Sequence, residues 1–239
     1  VLAAQGVSPE TLAAACEVDP KTVGRWLNGR RPHPRHQLSA ARRLRVAPTF
    51  LWPDTRESPE ATRRADKELV AVYEDRASVP RETWLTLLRE ARSRIDVLVL
   101  AGTFFAQSNP AVAEMLSERA ACGVQVRLCF GNPAGRAVAV RGQEEGIGDT
   151  LAAKIKASLT YYRPIVNVDR CSIRLHDTTL YSSLFRYDDN LLVNPHIYGQ
   201  PASANPTLHL RESGVGGWFE KYLRSFEEIW AEAQPWVPN

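Results

Sequence analysis

The sequence predicts a multidomain protein: a small all-α N-terminal domain, then a larger α/β domain. Three observations carry this. Up to Pro53, the apolar residues recur at helical spacing between Pro and Gly breakpoints. From Ile95 onward, continuous apolar runs of strand length alternate with helical patterns. The charge balance also changes along the chain. Residues 1–64 carry 11 Lys/Arg against 6 Asp/Glu, whereas the rest carry 19 against 21. The predicted divisions are residues 1–53, a polar linker at 54–66 and residues 67–239.

Residues 1–6 read as the end of a helix closed by Gly6. A helix then opens at Ser8, a capping residue, with Pro9 at its first position. Leu12, Ala15 and Cys16 are its expected buried stripe, and small Ala13–Ala15 permit a close helix crossing. Glu17-Val18-Asp19 is a turn. The next helix is capped by Asp19, starts at Pro20 and stops at Gly29. Val23, Trp26 and Leu27 are expected to face a core. Lys21, Thr22, Arg25 and Asn28 fall on the outer face, and Arg30 and Arg31 follow at once. A short helix with a donor-rich outer face and a basic exit suits the major groove of DNA. From Pro20 to Pro53 there are basic residues and no acidic ones, the electrostatic pattern of nucleic-acid binding. Residues 30–36 are expected to be an exposed basic loop, because each Pro pushes its predecessor toward extended geometry. Leu38 to Leu44 forms a further helix, and Val46–Pro53 closes the unit.

The stretch Ser8–Pro53 resembles the Cro/repressor-like (XRE-type) helix-turn-helix domains of bacterial transcriptional regulators. The matching residues are Val18-Asp19, Thr22-Val23, Arg25-Trp26, Gly29, Arg31, Pro34 and the closing Phe50-Leu51-Trp52-Pro53. The resemblance covers about a fifth of the chain and implies that the helix beginning at Pro20 reads bases. Lys21, Thr22, Arg25 and Asn28 are then the base-contact candidates, and Arg30, Arg31, Arg35 and His36 the phosphate contacts. This copy departs from the pattern at Pro9-Glu10, where a Gln often begins the preceding helix.

Beyond the linker, Asp66–Asp75 and Pro80–Arg94 read as helices, the second with Trp84, Leu87, Leu88 and Ala91 on one side. Ile95–Ala101 is a strand buried on both faces. Pro110–Cys122 is an amphipathic helix ended by Gly123, and Val124–Phe130 is a second, parallel strand. A helical region interrupted at Gly142 and Gly146–Gly148 resumes with Asp149 as cap and runs through Tyr162. Ser172–His176 is a strand. Thr179–Tyr187 and Leu191–His196 form a hairpin, and Pro206–Arg211 is another strand. The helix Gly217–Ala233 carries Trp218, Tyr222, Phe226 and Trp230 as a core stripe.

This order of elements resembles one half of a phospholipase D-like domain, over about 140 residues. Active members carry His-x-Lys-x4-Asp and then Gly-Ser-x2-Asn, the His attacking phosphorus and the Lys and Asn stabilising its oxygens. With Asp188 at the motif Asp, Tyr181 stands at the His position and Ser183 at the Lys position. Pro195-His196 falls where Gly-Ser would be. The resemblance therefore implies a catalytically inactive domain, kept for dimerisation and for sensing a small-molecule effector. Ligand-binding candidates are His176, Tyr181, Ser183, Arg186, Asn194, His196 and Tyr198. Strand alternation puts Tyr181, Ser183, Phe185 and Tyr187 on one face and Leu180, Ser182, Leu184 and Arg186 on the other.

The expected function is that of a sequence-specific, DNA-binding transcriptional regulator acting as a homodimer on double-stranded DNA. The alternative is a DNA-tethered phosphodiesterase or nuclease using a divergent site, with His176 or His196 as nucleophile. No cofactor or metal is expected, since His33 and His36 have no carboxylate or thiol to complete a site. Cys16, Cys122, Cys129 and Cys171 lack metal or disulfide spacing and read as buried, reduced thiols of a cytoplasmic protein. No membrane span is expected: the most apolar stretch, Val97–Phe105, is only strand-length.

Overall fold

The computed structural model describes residues 2, 6–46, 48–52, 68–214 and 216–238. It divides into residues 1–62 and 63–239.

The first unit holds helices α1 (Pro9–Ala15), α2 (Pro20–Leu27), α3 (Pro34–Arg43) and the single turn α4 (Pro48–Leu51). The Ser8 hydroxyl caps α1 by accepting from the Thr11 N–H at 3.2 Å. The Asp19 carboxylate caps α2 by accepting from the Lys21 N–H at 2.8 Å. Gly29, at φ 93°, closes α2 with the paired bonds of a Schellman motif: Gly29 N–H to the Trp26 carbonyl and Arg30 N–H to the Arg25 carbonyl. The core comprises Val7, Leu12, Ala13, Cys16, Val23, Trp26, Ala40 and Leu44. Two expected core positions are exposed. Ala13 is buried in place of Ala15, and Leu27 is 58 % exposed on the lip of an apolar groove lined by Leu12, Leu44 and Trp52. The basic stretch is also shorter than expected, because α3 begins at Pro34 and takes Arg35 and His36 into its first turn. Proline is well suited to that first position, where its missing N–H would have no partner.

The second unit is one eight-stranded sheet. Its strands are β1 (Leu69–Tyr73), β2 (Arg94–Val99), β3 (Gln125–Gly131), β4 (Cys171–His176), β5 (Ser182–Tyr187), β6 (Asn190–Pro195), β7 (Thr207–Arg211) and β8 (Gln234–Pro235). They lie in the order β1-β7-β6-β5-β2-β3-β4-β8. β2, β3 and β4 are parallel to one another and every other pairing is antiparallel. The helices are α5 (Arg81–Glu90), α6 (Thr103–Ser108), α7 (Val112–Ala121), α8 (Arg136–Glu144), α9 (Thr150–Tyr162) and α10 (Trp218–Glu232). On one sheet face, the Trp84 ring of α5 meets Phe185 edge-on at 4.9 Å, and Tyr162 of α9 lies 5.1 Å from Phe130. On the other face, Arg127 binds Asp96 at 2.7 Å and Glu227 of α10 at 2.7 and 2.8 Å. Its guanidinium lies 4.7 Å from the Phe226 ring and 5.3 Å from Trp230. Helix cover on both faces explains why β2 and β3 are mostly apolar and buried along nearly their whole length, with the buried Arg127–Asp96 pair as the polar exception.

The fold class is thereby corrected. The expected multidomain pairing of an all-α helix-turn-helix domain with an α/β phospholipase D-like domain gives way to a mixed α/β fold built on this sheet. Among the described residues the N-terminal helices are 7, 8, 10 and 4 residues long, and no separate all-α helix-turn-helix domain is evident. A second correction concerns Asp66–Asp75, expected as a helix. Its described part holds β1, with Leu69, Ala71 and Tyr73 half-buried and Val70 and Val72 exposed. That is a period of two, and pairing with β7 selects it. Asp149 stands at the start of α9 without a capping bond. In the closing helix, Phe219 and Phe226 are buried and Trp218 is 42 % exposed. Of the cysteines, Cys16 and Cys129 are buried, Cys171 is half-buried and Cys122 is exposed; all four are free. The expected linker, 54–66, lies outside the described residues.

Candidate functional site

Two surfaces collect the candidate residues. The first is the outer side of α2. Lys21, Arg25 and Asn28 are exposed and Thr22 is half-buried, while Val23 and Trp26 face inward. Arg30, Arg31 and Arg35 are exposed beyond the helix end. His36 is engaged elsewhere. Its Nδ1 lies 3.2 Å from the Cys16 carbonyl, its Nε2 accepts from Arg35 Nε at 3.1 Å, and its ring centroid is 6.0 Å from that of Trp26. Since Nε2 accepts, Nδ1 carries the proton and donates to Cys16. His36 therefore ties α3 to the end of α1.

The second is a pocket of about 130 Å³ at the carboxyl end of β2 and the start of β5. Arg76, Lys154, Glu145, Thr103, Ser183 and His196 supply its polar groups. Val99, Leu100, Phe104, Phe105, Leu151 and Phe185 supply apolar wall. Strand alternation put Ser183 and Phe185 on one face, and that face looks into the pocket. The Ser183 hydroxyl lies 3.0 Å from His196 Nε2, and His196 Nδ1 lies 3.0 Å from the Leu180 carbonyl. Nδ1 must donate to a carbonyl, so Nε2 accepts from Ser183. Burial, with the nearby charges of Arg141 and Arg76, pushes the His196 pKa down to about 4 against the pull of the Leu180 carbonyl. The ring is neutral at physiological pH.

The remaining candidates are elsewhere. His176 is buried, with Nε2 3.1 Å from the Val99 carbonyl and Nδ1 accepting from the Thr178 N–H at 3.3 Å. Its neighbour Asp177 accepts from the Arg136 and Ala137 N–H groups at the start of α8. Arg186 donates to the Asp188 carbonyl at 2.8 Å and faces Asp96 at 3.5 Å, on the α10 side of the sheet. Asn194 is buried and donates to the Asn205 and Pro206 carbonyls. Tyr181 and Tyr198 are 79 % and 78 % exposed and do not line the pocket. Asp188 lies in the hairpin turn at the far end of β5 from Tyr181. Its carboxylate accepts from the N–H groups of Arg92, Ser93 and Arg94 at 2.7–2.9 Å and from the Ser93 hydroxyl at 2.7 Å. Of the seven ligand candidates, the pocket holds Ser183 and His196. Arg76, Lys154 and Glu145 were missed by sequence reasoning. Arg76 follows the segment expected as a helix and observed as β1, and Lys154 and Glu145 lie in no motif that singles them out.

Among the described residues, no group of three or more His, Cys, Asp or Glu side chains is placed to hold a metal. No helix among them is long and apolar enough to cross a membrane.

The family pattern described as "Domain of unknown function (DUF5919)" matches residues 64–237, nearly the whole sheet unit. The chain belongs to the DUF5919 family. Among curated proteins nothing matches it. Two solved structures are similar to this DUF5919 chain. One is a phospholipase D family member, nuc from Salmonella typhimurium, at 12 % identity and a TM-score of 0.41, covering 70 % of this chain and 97 % of its own. The other is TrmBL2, an archaeal chromatin protein whose structure is described as showing a novel mode of DNA binding. It matches at 15 % identity and a TM-score of 0.46, covering 95 % of this chain and 87 % of its own.

Proposed function

We propose that the protein binds double-stranded DNA through the outer face of α2 and regulates transcription as a homodimer. In this reading the sheet unit dimerises and holds a small effector without catalysing a reaction. The observation that carries it is the exposed set Lys21, Arg25 and Asn28 on a helix fixed at both ends by the Asp19 cap and the Gly29 stop. Side chains on a helix so held reach base edges at defined spacing, while Arg30 and Arg31 at its exit serve the phosphates. Pairing two copies supplies the affinity that one short helix lacks and makes the DNA site a repeat of half-sites.

Several features support a non-catalytic sheet unit. The position aligned with a nucleophilic His is the exposed Tyr181. The position aligned with a cationic Lys is Ser183, hydrogen-bonded to His196. The nuclease alternative needs a His with a free ring nitrogen to attack phosphorus. Both nitrogens of His176 and of His196 have partners.

The test selects a duplex from a randomised library with the whole chain and then measures Arg25→Ala by fluorescence anisotropy. Loss of about 1–3 kcal/mol of specific binding is expected. Failure to enrich any duplex, or unchanged affinity in Arg25→Ala, refutes the reading. Turnover of a phosphodiester that His196→Ala abolishes would establish the enzyme instead.

A further inference from the structure

Arg76 is a half-buried cation with no carboxylate partner among the described residues. Its Nε is buried and has no hydrogen-bond partner. Its guanidinium lies 4.8 Å from the centre of the Phe104 ring. Among the described residues no carboxylate comes within ion-pair distance of it. Burial lowers its pKa only to about 10, so it stays charged at neutral pH. A charged donor atom withdrawn from water normally has a partner, because an unpartnered one is destabilising. An orphaned guanidinium facing a pocket marks the place of a missing partner.

The rest of the pocket defines that partner. Lys154 adds a second cation. The one carboxylate on the wall, Glu145, is bound by Arg141 Nε at 2.7 Å and does not neutralise the pocket. His196 is neutral, and its two nitrogens are held by Ser183 and the Leu180 carbonyl. The site is thus net positive at one end. Elsewhere Phe105, Leu151 and Phe185 make it apolar. At about 130 Å³ it is far smaller than the roughly 300–1,000 Å³ of sites for drug-sized ligands.

We propose that this pocket binds a small monocarboxylic acid with an apolar body, about the size of benzoate, its carboxylate on Arg76 and Lys154 and its body against Phe104, Phe105 and Phe185. This deepens the effector reading above and rests on it for the consequence, though not for the binding. A carboxylate matches the planar fork of a guanidinium, and the aromatic wall takes the uncharged part.

The experiment titrates the full chain with benzoate, phenylacetate and butyrate by calorimetry, with benzamide and inorganic phosphate as controls. At least one acid should bind, while benzamide and phosphate bind at least tenfold more weakly. Arg76→Met should weaken the acid about 10–100-fold, the loss of a charge-assisted hydrogen bond. Without ligand it should melt no lower than the parent, because it removes a half-buried charge whose Nε has no partner. Four results overturn the proposal: no acid binds, benzamide binds as well as benzoate, phosphate binds best, or Arg76→Met keeps full affinity. A lower melting temperature of ligand-free Arg76→Met would also overturn it, by showing that Arg76 serves the fold. DNA affinity is measured in parallel with and without the acid. Acid binding that leaves DNA affinity unchanged refutes the effector reading and leaves the pocket assignment standing.

Discussion

Replacing Asp188 should loosen the join between the β5–β6 hairpin and the start of β2. Asp188 sits at φ 52°, a left-handed position in a two-residue turn where glycine is the usual choice. The reason for a carboxylate there is its four donors: three consecutive backbone N–H groups, Arg92 to Arg94, and the Ser93 hydroxyl. Burial pushes its pKa up, but those bonds outweigh it and hold the group below the ordinary carboxylate range. A hydrogen bond to a charged group contributes about 1.5–3 kcal/mol. The donors at the exposed edge regain water when the carboxylate is lost, whereas the half-buried Arg94 N–H does not. Asp188→Ala should therefore cost about 2–4 kcal/mol, or roughly 5–12 °C in melting temperature for a unit of this size. Asp188→Gly loses the same bonds but relieves a left-handed strain of about 1 kcal/mol. Asp188→Asn keeps one acceptor oxygen and tolerates the conformation, so it should cost about 1–2 kcal/mol. Urea unfolding of the four proteins at pH 7 checks the order parent, Asn, Gly, Ala. The lowered pKa also sets a sign. The contribution is present above the unfolded pKa of about 4 and is lost as the pH falls through the folded value, so the gap between parent and Ala should narrow in acid. An Ala variant within 0.5 kcal/mol of the parent, or a Gly variant no better than Ala, refutes the tether.

Two further outcomes are expected. Gly217→Ala should destabilise by about 2–3 kcal/mol in urea melts: its Cβ would overlap the buried Glu68 carboxylate, which accepts from the Trp218 and Phe219 N–H groups at the start of α10. The Gly217 backbone, at φ −82°, imposes no strain of its own, so equal stability would mean that the cap is dispensable. For His196, folding lowers the pKa from 6.5 to about 4, so between those values the unfolded chain takes up a proton that the folded chain refuses. Stability should fall as the pH drops through this window, by about 2 kcal/mol at pH 5, and level off below about 4. His196→Gln should remove that part of the slope and leave the parts of the same sign from His176 and His209; an unchanged slope refutes the assignment.

Much of this was legible in local sequence. Ser8-Pro9, Asp19-Pro20 and Gly29 marked helix ends through capping chemistry that acts over three or four residues. The runs at β2 and β3 were strand-length and mostly apolar because both sheet faces are covered. The β1 segment was misread because Leu69-Val70-Ala71-Val72-Tyr73 is short and its neighbours are polar, so its period appears only once it pairs with β7 at the sheet edge. Leu27 was misread because helical spacing gives the direction of a side chain without saying whether anything lies opposite.

The sequence by itself determined where the N-terminal helices begin and end and which side of α2 carries its donors. These follow from residue identity and short-range geometry. Tertiary structure alone decided which charges are satisfied. Asp188, Asp177 and Glu68 look alike in sequence as exposed acids, yet each collects backbone N–H groups from a distant segment. His36 reads as a phosphate contact and His176 as a ligand contact, and both are held on both nitrogens. Arg76 looks like one surface arginine among many, yet it is half-buried with an unpartnered Nε and lines a pocket with Lys154 and Ser183. The physical reason is that the state of a charge depends on what surrounds it in three dimensions, and those neighbours come from segments tens of residues apart.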